Sequence, residues 1–405
     1  MTAPIVIVGA GQAGLQAAEA LRAGGYAGAL LMVGSETHAP YHRPPLSKAY
    51  LLGQTAETQL TMRSGEALAR KGIEFAAGRT ATAIDRAQQR LELSDGRLVD
   101  YSRLCLATGA RARRLALPGA QLRNVLALRT LDDARAIAER LQTARQVVVI
   151  GGGFIGLEFA AVARKLGKDV VVLEAADRLM ARAVSAQLSD FYAQLHKGHG
   201  VQVELNAHVT RIAGQEELAT AVCTADGREF AADLVVLGVG IVANTELAEA
   251  AGLQCEQGIV VDACSRTSDG AIVAAGDCTA RRLPDGSLLR LESVQNAVEQ
   301  GRSAAGTLLG NERPFTASPW FWSDQYDVKL QMVGLSAGHD RVVVRGEPEA
   351  QRFSAFYYQR DRLIAVDSVN RAADHMPARK LLDQGISPTT EQAADPSFAL
   401  SALLI

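Results

Sequence analysis

One pattern occurs twice in this chain, and it limits the possible fold more than any other feature. The first copy is the apolar run Ile5–Val8, the turn Gly9-Ala-Gly11-Gln-Ala-Gly14, an Ala-rich stretch to Ala23, and a second apolar run Ala29–Val33. The second copy is Val147–Ile150, then Gly151-Gly-Gly153-Phe-Ile-Gly156, an Ala-rich stretch to Leu166, and Asp169–Leu173. Each reads strand, tight turn, helix, strand. Runs that are apolar at every position belong to strands covered on both faces. Each copy therefore predicts a βαβ unit in a buried parallel sheet, and the fold class is α/β.

The glycines have separate physical tasks. Gly9 and Gly151 permit the sharp turn out of the strand. Gly11 and Gly153 let backbone approach a pyrophosphate, and the helix N-terminus behind them attracts its charge. Gly14 and Gly156 let helix and strand pack closely. Alone such a turn is a weak signal. Two copies, each leaving a strand and opening a helix, predict two Rossmann-like domains and two bound dinucleotides. An acid follows each at the spacing of a ribose-binding carboxylate, Glu36 after the first and Glu174 after the second. A carboxylate at Glu174 accepts from a ribose 2′-hydroxyl and repels a 2′-phosphate, which favours NADH over NADPH. Arg178 and Arg182 nearby read as surface charges. The chemically sensible pair of dinucleotides is a bound flavin and a nicotinamide that delivers hydride to it.

Composition narrows the rest. The 405 residues suit two or three domains. Lys and Arg total 42 against 44 Asp and Glu, a net −2, so bulk charge does not bring the chain to nucleic acid or anionic lipid. The longest apolar run, Leu234 to Ala243, is well short of the ~18 residues of a membrane span. The sequence enters its first strand with no basic leader, so a cytoplasmic protein is expected. Five cysteines at 105, 223, 255, 264 and 278 form no Cys-x-x-Cys, which argues against a disulfide framework and a four-cysteine cluster. His38 and His42 are separated by Pro40, and His196 and His199 fall near a helix end, so no metal is assigned.

Shorter strands are expected at Leu104–Ala107, Val201–Glu204, Leu234–Val239 and Ala271–Ala275, and a helix at Leu131–Gln142. Past Trp320 the texture becomes that of an antiparallel sheet, with strands at Leu330–Val333, Arg341–Val344, Phe353–Tyr358 and Leu363–Val369. A helix is expected from Pro377 to Asp383, and the last fifteen residues read as an extended tail.

The segment Ala39-Pro-Tyr-His-Arg-Pro-Pro-Leu-Ser-Lys48 resembles the one that follows the first βαβ unit in FAD-dependent NADH:ferredoxin reductases. These are the putidaredoxin-reductase and biphenyl-dioxygenase-reductase type, within the glutathione-reductase-like flavoproteins. Ala107-Thr-Gly109, Ala275-Gly-Asp277 and Glu292-Ser-Val-Gln-Asn-Ala297 are similar too, and the likeness covers about residues 1–400. It implies two Rossmann-like domains, for FAD and for NAD, plus a C-terminal α+β domain. The expected boundaries are a discontinuous FAD domain at 1–112 and 240–316, an NADH domain at 113–239, and the α+β domain at 317–405.

The resemblance also implies roles. Lys48 corresponds to a lysine beside flavin N5, and Glu158 to a glutamate near the nicotinamide that is often paired with it; these are the catalytic candidates. Read as an ordinary residue, Lys48 would be a surface lysine at a helix start. Asp277 corresponds to an aspartate on the ribityl chain, and Val294 to a backbone N–H at the pyrimidine end, where a helix opening near Ser293 favours negative charge. Arg129, Ala81 and the aromatic Trp322 are implied as further FAD contacts; Trp320 reads as packing. No cysteine precedes Cys105, so the thiol pair of the disulfide reductases is missing. The implied activity is transfer of hydride from NADH to non-covalently bound FAD, then of single electrons to a [2Fe–2S] ferredoxin serving a cytochrome P450 or Rieske-type oxygenase. Another acceptor (rubredoxin, a quinone, an ascorbate radical) or an NADH-sensing interaction flavoprotein is also compatible with the sequence.

Overall fold

A computed structural model describes residues 3–404 of the chain. Its backbone contacts divide it into two units, 1–42 with 57–111 and 241–317, and 43–56 with 112–240 and 318–405.

The first unit is built on a five-stranded parallel sheet. Its order is Ile272–Ala274, Arg103–Leu106, Ile5–Val8, Leu30–Gly34 and Ile73–Ala77. Every residue of Ile5–Val8 and Leu30–Gly34 is buried, as continuous apolar runs require. The chain leaves Ile5–Val8 to form the strand on one side and returns later to form the strand on the other. The carboxyl end of that strand is thus a switch point, where open α/β sheets form a crevice. Helix Gln12–Ala23 opens there, and helix Val294–Leu308 packs across it. Gly301 makes the close approach possible, since a Cβ on it would lie 2.7 Å from the carbonyl of Ala13. The same unit also holds an antiparallel three-stranded sheet, Ala81–Asp85, Arg90–Leu93 and Leu98–Asp100.

The second unit repeats the plan. Its parallel sheet runs Gln202–Glu204, Asp169–Leu173, Gln146–Ile150, Leu234–Leu237 and Val125–Ala127, with helix Phe154–Lys165 opening at the switch point. Helix Leu131–Thr143 begins at a capping box, Thr130 with Asp133. The same unit holds an antiparallel sheet in the order Trp320–Gln325, Val328–Gly334, Arg362–Val369, Arg352–Gln359 and Arg341–Glu347.

Two expectations for this region are corrected. The helix begins at Ala372, not Pro377, and runs to Gln384. Asp374 is buried there among Arg345, Arg371 and Ser354, and these bonds draw an extra turn in ahead of the proline. The tail is not extended: Thr389 and Gln392 form a capping box for helix Thr390–Ala394, and a 3₁₀ turn covers Leu400–Leu403. The buried Arg345 guanidinium binds main-chain carbonyls of this segment, Gln392 and Phe398 among them.

Asp367 lies at the centre of this sheet, 1% exposed, and accepts from the Tyr357 hydroxyl at 2.7 Å. Burial pushes its carboxyl up to about 7. The folded chain therefore binds a proton between the ordinary carboxylate range and about pH 7 that the unfolded chain has lost, so stability falls as pH rises through that window and levels off above it. Replacing Asp367 by Asn removes this slope. From pH 5 to pH 8 the variant should gain roughly 2–3 kcal/mol on the parent, read as a widening gap between their melting midpoints. Parallel curves would refute the assignment.

Candidate functional site

In the first unit the strand Ile5–Val8 ends at Gly9, whose φ of +116° needs glycine. A Cβ on Gly9 would stand 2.0 Å from the Ala107 carbonyl, and one on Gly14 would stand 1.9 Å from the Gly9 carbonyl. A Cβ on Gly11 would meet nothing within 4 Å. Two glycines thus shape the turn, and the third leaves open space in front of helix Gln12–Ala23. The second unit repeats this arrangement. Gly151 has φ +106°, Gly151 and Gly156 would put a Cβ 2.5 and 2.2 Å from carbonyls of Gly238 and Gly151, and Gly153 has only the Gly238 carbonyl at 3.9 Å. Each turn presents backbone N–H groups to an open cradle that fits a pyrophosphate.

Beside the first turn lies a cleft of about 510 Å³, bordered by Gly9, Val33, Ser35, Thr80, Ala81 and Asn244 among others. This size suits a cofactor portion. Ala81 begins the strand Ala81–Asp85, which puts its backbone on the cleft wall. Thr108 and Asn244 brace the far side, with Thr108 Oγ1 donating to the Asn244 carbonyl and Asn244 Nδ2 to that of Thr108. Glu36 accepts from the Tyr41 hydroxyl at 2.5 Å, which orients its carboxylate. Gln300 holds the Ala275–Asp277 turn by accepting from the Gly276 N–H and the Thr279 hydroxyl. Ser293 caps helix Val294–Leu308 by accepting from Asn296 N–H, so Val294 is its first residue, as expected.

In the second unit Glu174 is used differently from Glu36. Its Oε2 accepts from the Gly152 N–H at 2.6 Å and its Oε1 from the Ala176 N–H at 2.8 Å. The carboxylate therefore stands against the glycine turn itself. Arg178 is not a free surface charge. It binds the carbonyls of Ala181 and Val184 and the Ser189 hydroxyl, and so holds its own loop. Arg129 precedes the capped helix Leu131–Thr143; its N–H donates to Asp133 and its carbonyl accepts from Arg43.

The same unit assembles the charged centre. Pro44 and Pro45 start a 3₁₀ turn, Pro44–Ser47, and Lys48 sits at its C-terminal end rather than at a helix start. Lys48 Nζ is 2.7 Å from Glu158 Oε2, with Lys48 20% and Glu158 2% exposed. The Ser47 hydroxyl donates to the same oxygen at 2.6 Å, and the Ser323 hydroxyl donates to Oε1 at 2.7 Å. Three donors thus satisfy one buried carboxylate, which a charge so far from water requires. Trp322 lies on the opposite face of its strand from Ser323, half-buried, 5.6 Å from the Trp320 ring. Trp320 stacks under the Arg379 guanidinium.

Ser47, Ser323, Thr108 and Asn244 were not candidates from sequence. Ser47 was signalled only by its place beside Lys48, and Ser323 only by the alternation of Trp320–Gln325. Cys105 and Cys278 are fully buried, and burial pushes the Cys105 thiol up to about 12, which keeps it protonated and unreactive.

Two glycine cradles on duplicated α/β units, with a buried lysine–glutamate pair, define a two-dinucleotide oxidoreductase. The chain belongs to the pyridine nucleotide-disulphide oxidoreductase family, whose pattern matches residues 3–301, and a reductase C-terminal domain matches 320–404. It is 47% identical to rhodocoxin reductase of Rhodococcus erythropolis over 98% of this chain and 93% of that protein. The solved ferredoxin reductase for the CYP199A2 system from Rhodopseudomonas palustris superposes with a TM-score of 0.97 at 45% identity, covering 99% of both chains. The covalent putidaredoxin reductase–putidaredoxin complex gives 0.96 at 42%, covering 99% and 98%.

Proposed function

We propose that the chain is an FAD-dependent NADH:ferredoxin reductase, taking electrons to a [2Fe–2S] ferredoxin that serves a cytochrome P450 or a Rieske-type oxygenase. The observation that carries this reading is the doubled open glycine cradle, one in each unit. The names of the relatives supply the acceptor class, and the absence of any helix long and apolar enough to cross a membrane among the described residues suits a cytoplasmic role.

Gly9, Gly11 and Gly14 receive the FAD pyrophosphate, with Glu36 for the ribose and Ala81, Asp277, Val294, Arg129 and Trp322 as further contacts. Gly151, Gly153 and Gly156 receive that of NADH, with Glu174 at its ribose. Bound FAD supplies a two-electron acceptor that can release electrons singly. Lys48 places an ammonium where negative charge develops during hydride transfer, and Glu158 holds it there without spending its own charge on water. Helix Val294–Leu308 directs its positive end at a developing anion. The domains divide as 1–112 with 240–316, 113–239 and 317–405.

The test is anaerobic stopped-flow of the purified holoprotein with NADH, then with a [2Fe–2S] ferredoxin, with NADPH and a quinone as controls. Fast bleaching of the flavin by NADH over NADPH, then fast reoxidation by the ferredoxin, is expected. Bleaching without reoxidation by the ferredoxin would move the function to another acceptor or to sensing.

A further inference from the structure

Glu158 is reached by one more strand than the reaction as read above uses. Helix Phe154–Lys165 presents Phe154 and Glu158 one turn apart on a single face. Strand Trp320–Gln325 presents Phe321, Ser323 and Gln325 on one of its faces. One helical turn and two strand residues advance by nearly the same distance, about 6 Å, so the two elements match side chain for side chain. Phe321 packs on Phe154 with ring centroids 4.8 Å apart, and this contact sets Ser323 against Glu158.

Behind Ser323 the bonds continue. Gln325 Nε2 donates to Ser323 Oγ at 3.3 Å, and Gln325 Oε1 faces His196 Nε2 at 2.8 Å. Burial holds the His196 imidazole well below its ordinary range, to about 4, so it is neutral at physiological pH. Its Nε2 then carries the proton toward Gln325, and its Nδ1 accepts from the Tyr326 hydroxyl at 3.4 Å. Ser323, Gln325 and His196 are all fully buried. Every donor in the series points the same way, from Tyr326 through His196, Gln325 and Ser323 to the carboxylate. Aligned hydrogen bonds polarise one another, and the last of them falls on Glu158 Oε1. Gln325 fills one of the two acceptor positions of the Ser323 hydroxyl, and its single proton is given to Glu158.

We propose that Ser323 is a positioning residue for the hydride step: oriented by Gln325 and His196, it fixes Glu158 and through it the Lys48 ammonium. This rests on the reading of Lys48 and Glu158 given above. The C-terminal sheet then contributes to reduction by NADH, not only to structure. Without the Ser323 hydroxyl, Oε1 is left buried with no donor, and the carboxylate rotates toward Ser47 and Lys48, carrying the ammonium out of place.

The experiment compares Ser323→Ala, Ser323→Thr and Ser323→Val with Glu158→Gln, all as FAD-loaded full chains. NADH is mixed anaerobically, and the limiting reduction rate and the NADH dissociation constant are read separately below the melting temperature. Thr and Val have the same shape and differ in the hydroxyl, so this pair keeps the comparison valid should the Ala variant fold poorly. A slow Glu158→Gln is expected, with the Ala and Val variants about tenfold slower in limiting rate at unchanged NADH affinity, and the Thr variant near the parent. If Glu158→Gln is slow while Val and Thr reduce equally fast, the role of Ser323 is overturned and the reading of the pair stands. If Glu158→Gln reduces at the parental rate, that reading fails and the role of Ser323 in reduction falls with it.

Discussion

Gly153→Val yields a yellow protein that NADH reduces at least about a hundredfold less efficiently, whereas Gly11→Val is purified without its flavin. The contrast follows from where a side chain would point. A Cβ on Gly11 meets no protein atom within 4 Å, and one on Gly153 meets only a carbonyl at 3.9 Å. Neither position resists a Cβ, and a valine at either fills the space in front of a helix N-terminus. Losing two backbone hydrogen bonds to a charged phosphate amounts to about 3–6 kcal/mol, which sets the hundredfold floor. Gly14 and Gly156 serve as the opposite control. Their Cβ atoms would stand 1.9 and 2.2 Å from main-chain carbonyls, so valine there should deplete folded protein rather than one ligand. Flavin content, melting temperature and the rate of reduction by NADH separate these outcomes. A Gly153→Val protein that reduces normally would remove the second cradle from the reaction.

The duplicated turn was legible because its constraint is local. Positive φ and the close approach of strand to helix can be met only by glycine, so chemistry and sequence coincide at Gly9 and Gly151. The Lys48–Glu158 pair was reachable only through resemblance, because residues 110 positions apart carry no mutual signal. The bonds that Ser47 and Ser323 make to Glu158 were not legible. A serine that closes a buried carboxylate reads like any serine until the strand and helix that carry it are in register. The same holds for Asp374, whose buried bonds with Arg345 and Ser354 start the helix before Pro377, where propensity alone would begin it. The tail failed for another reason: its capping box, Thr389 to Gln392, is short, and the carbonyls around it are gathered by an arginine more than forty residues earlier.

Lys48→Met and Glu158→Gln should differ sharply in stability while agreeing in rate. Lys48→Met leaves a carboxylate that is 2% exposed with two serine hydroxyls and no cation, a change that costs about 3–5 kcal/mol. Glu158→Gln leaves an ammonium that is 20% exposed and can reach water, so its cost should stay near about 1 kcal/mol. The double variant Lys48→Met with Glu158→Gln removes both charges and keeps a side chain to which Ser47 and Ser323 can still bond. It should recover most of the stability lost by Lys48→Met, giving a coupling energy of about 2 kcal/mol or more. Reduction by NADH should not recover. Each single variant and the double should be slower by about 10²–10³, because a positive charge fixed in place, not the pair's contribution to folding, is what the transition state requires. Denaturation midpoints and single-turnover reduction on the same four proteins decide it. Recovery of rate along with stability would make the pair a structural bridge. Recovery of stability alone would assign the pair to the chemistry and show that the fold bears its buried charge for that purpose.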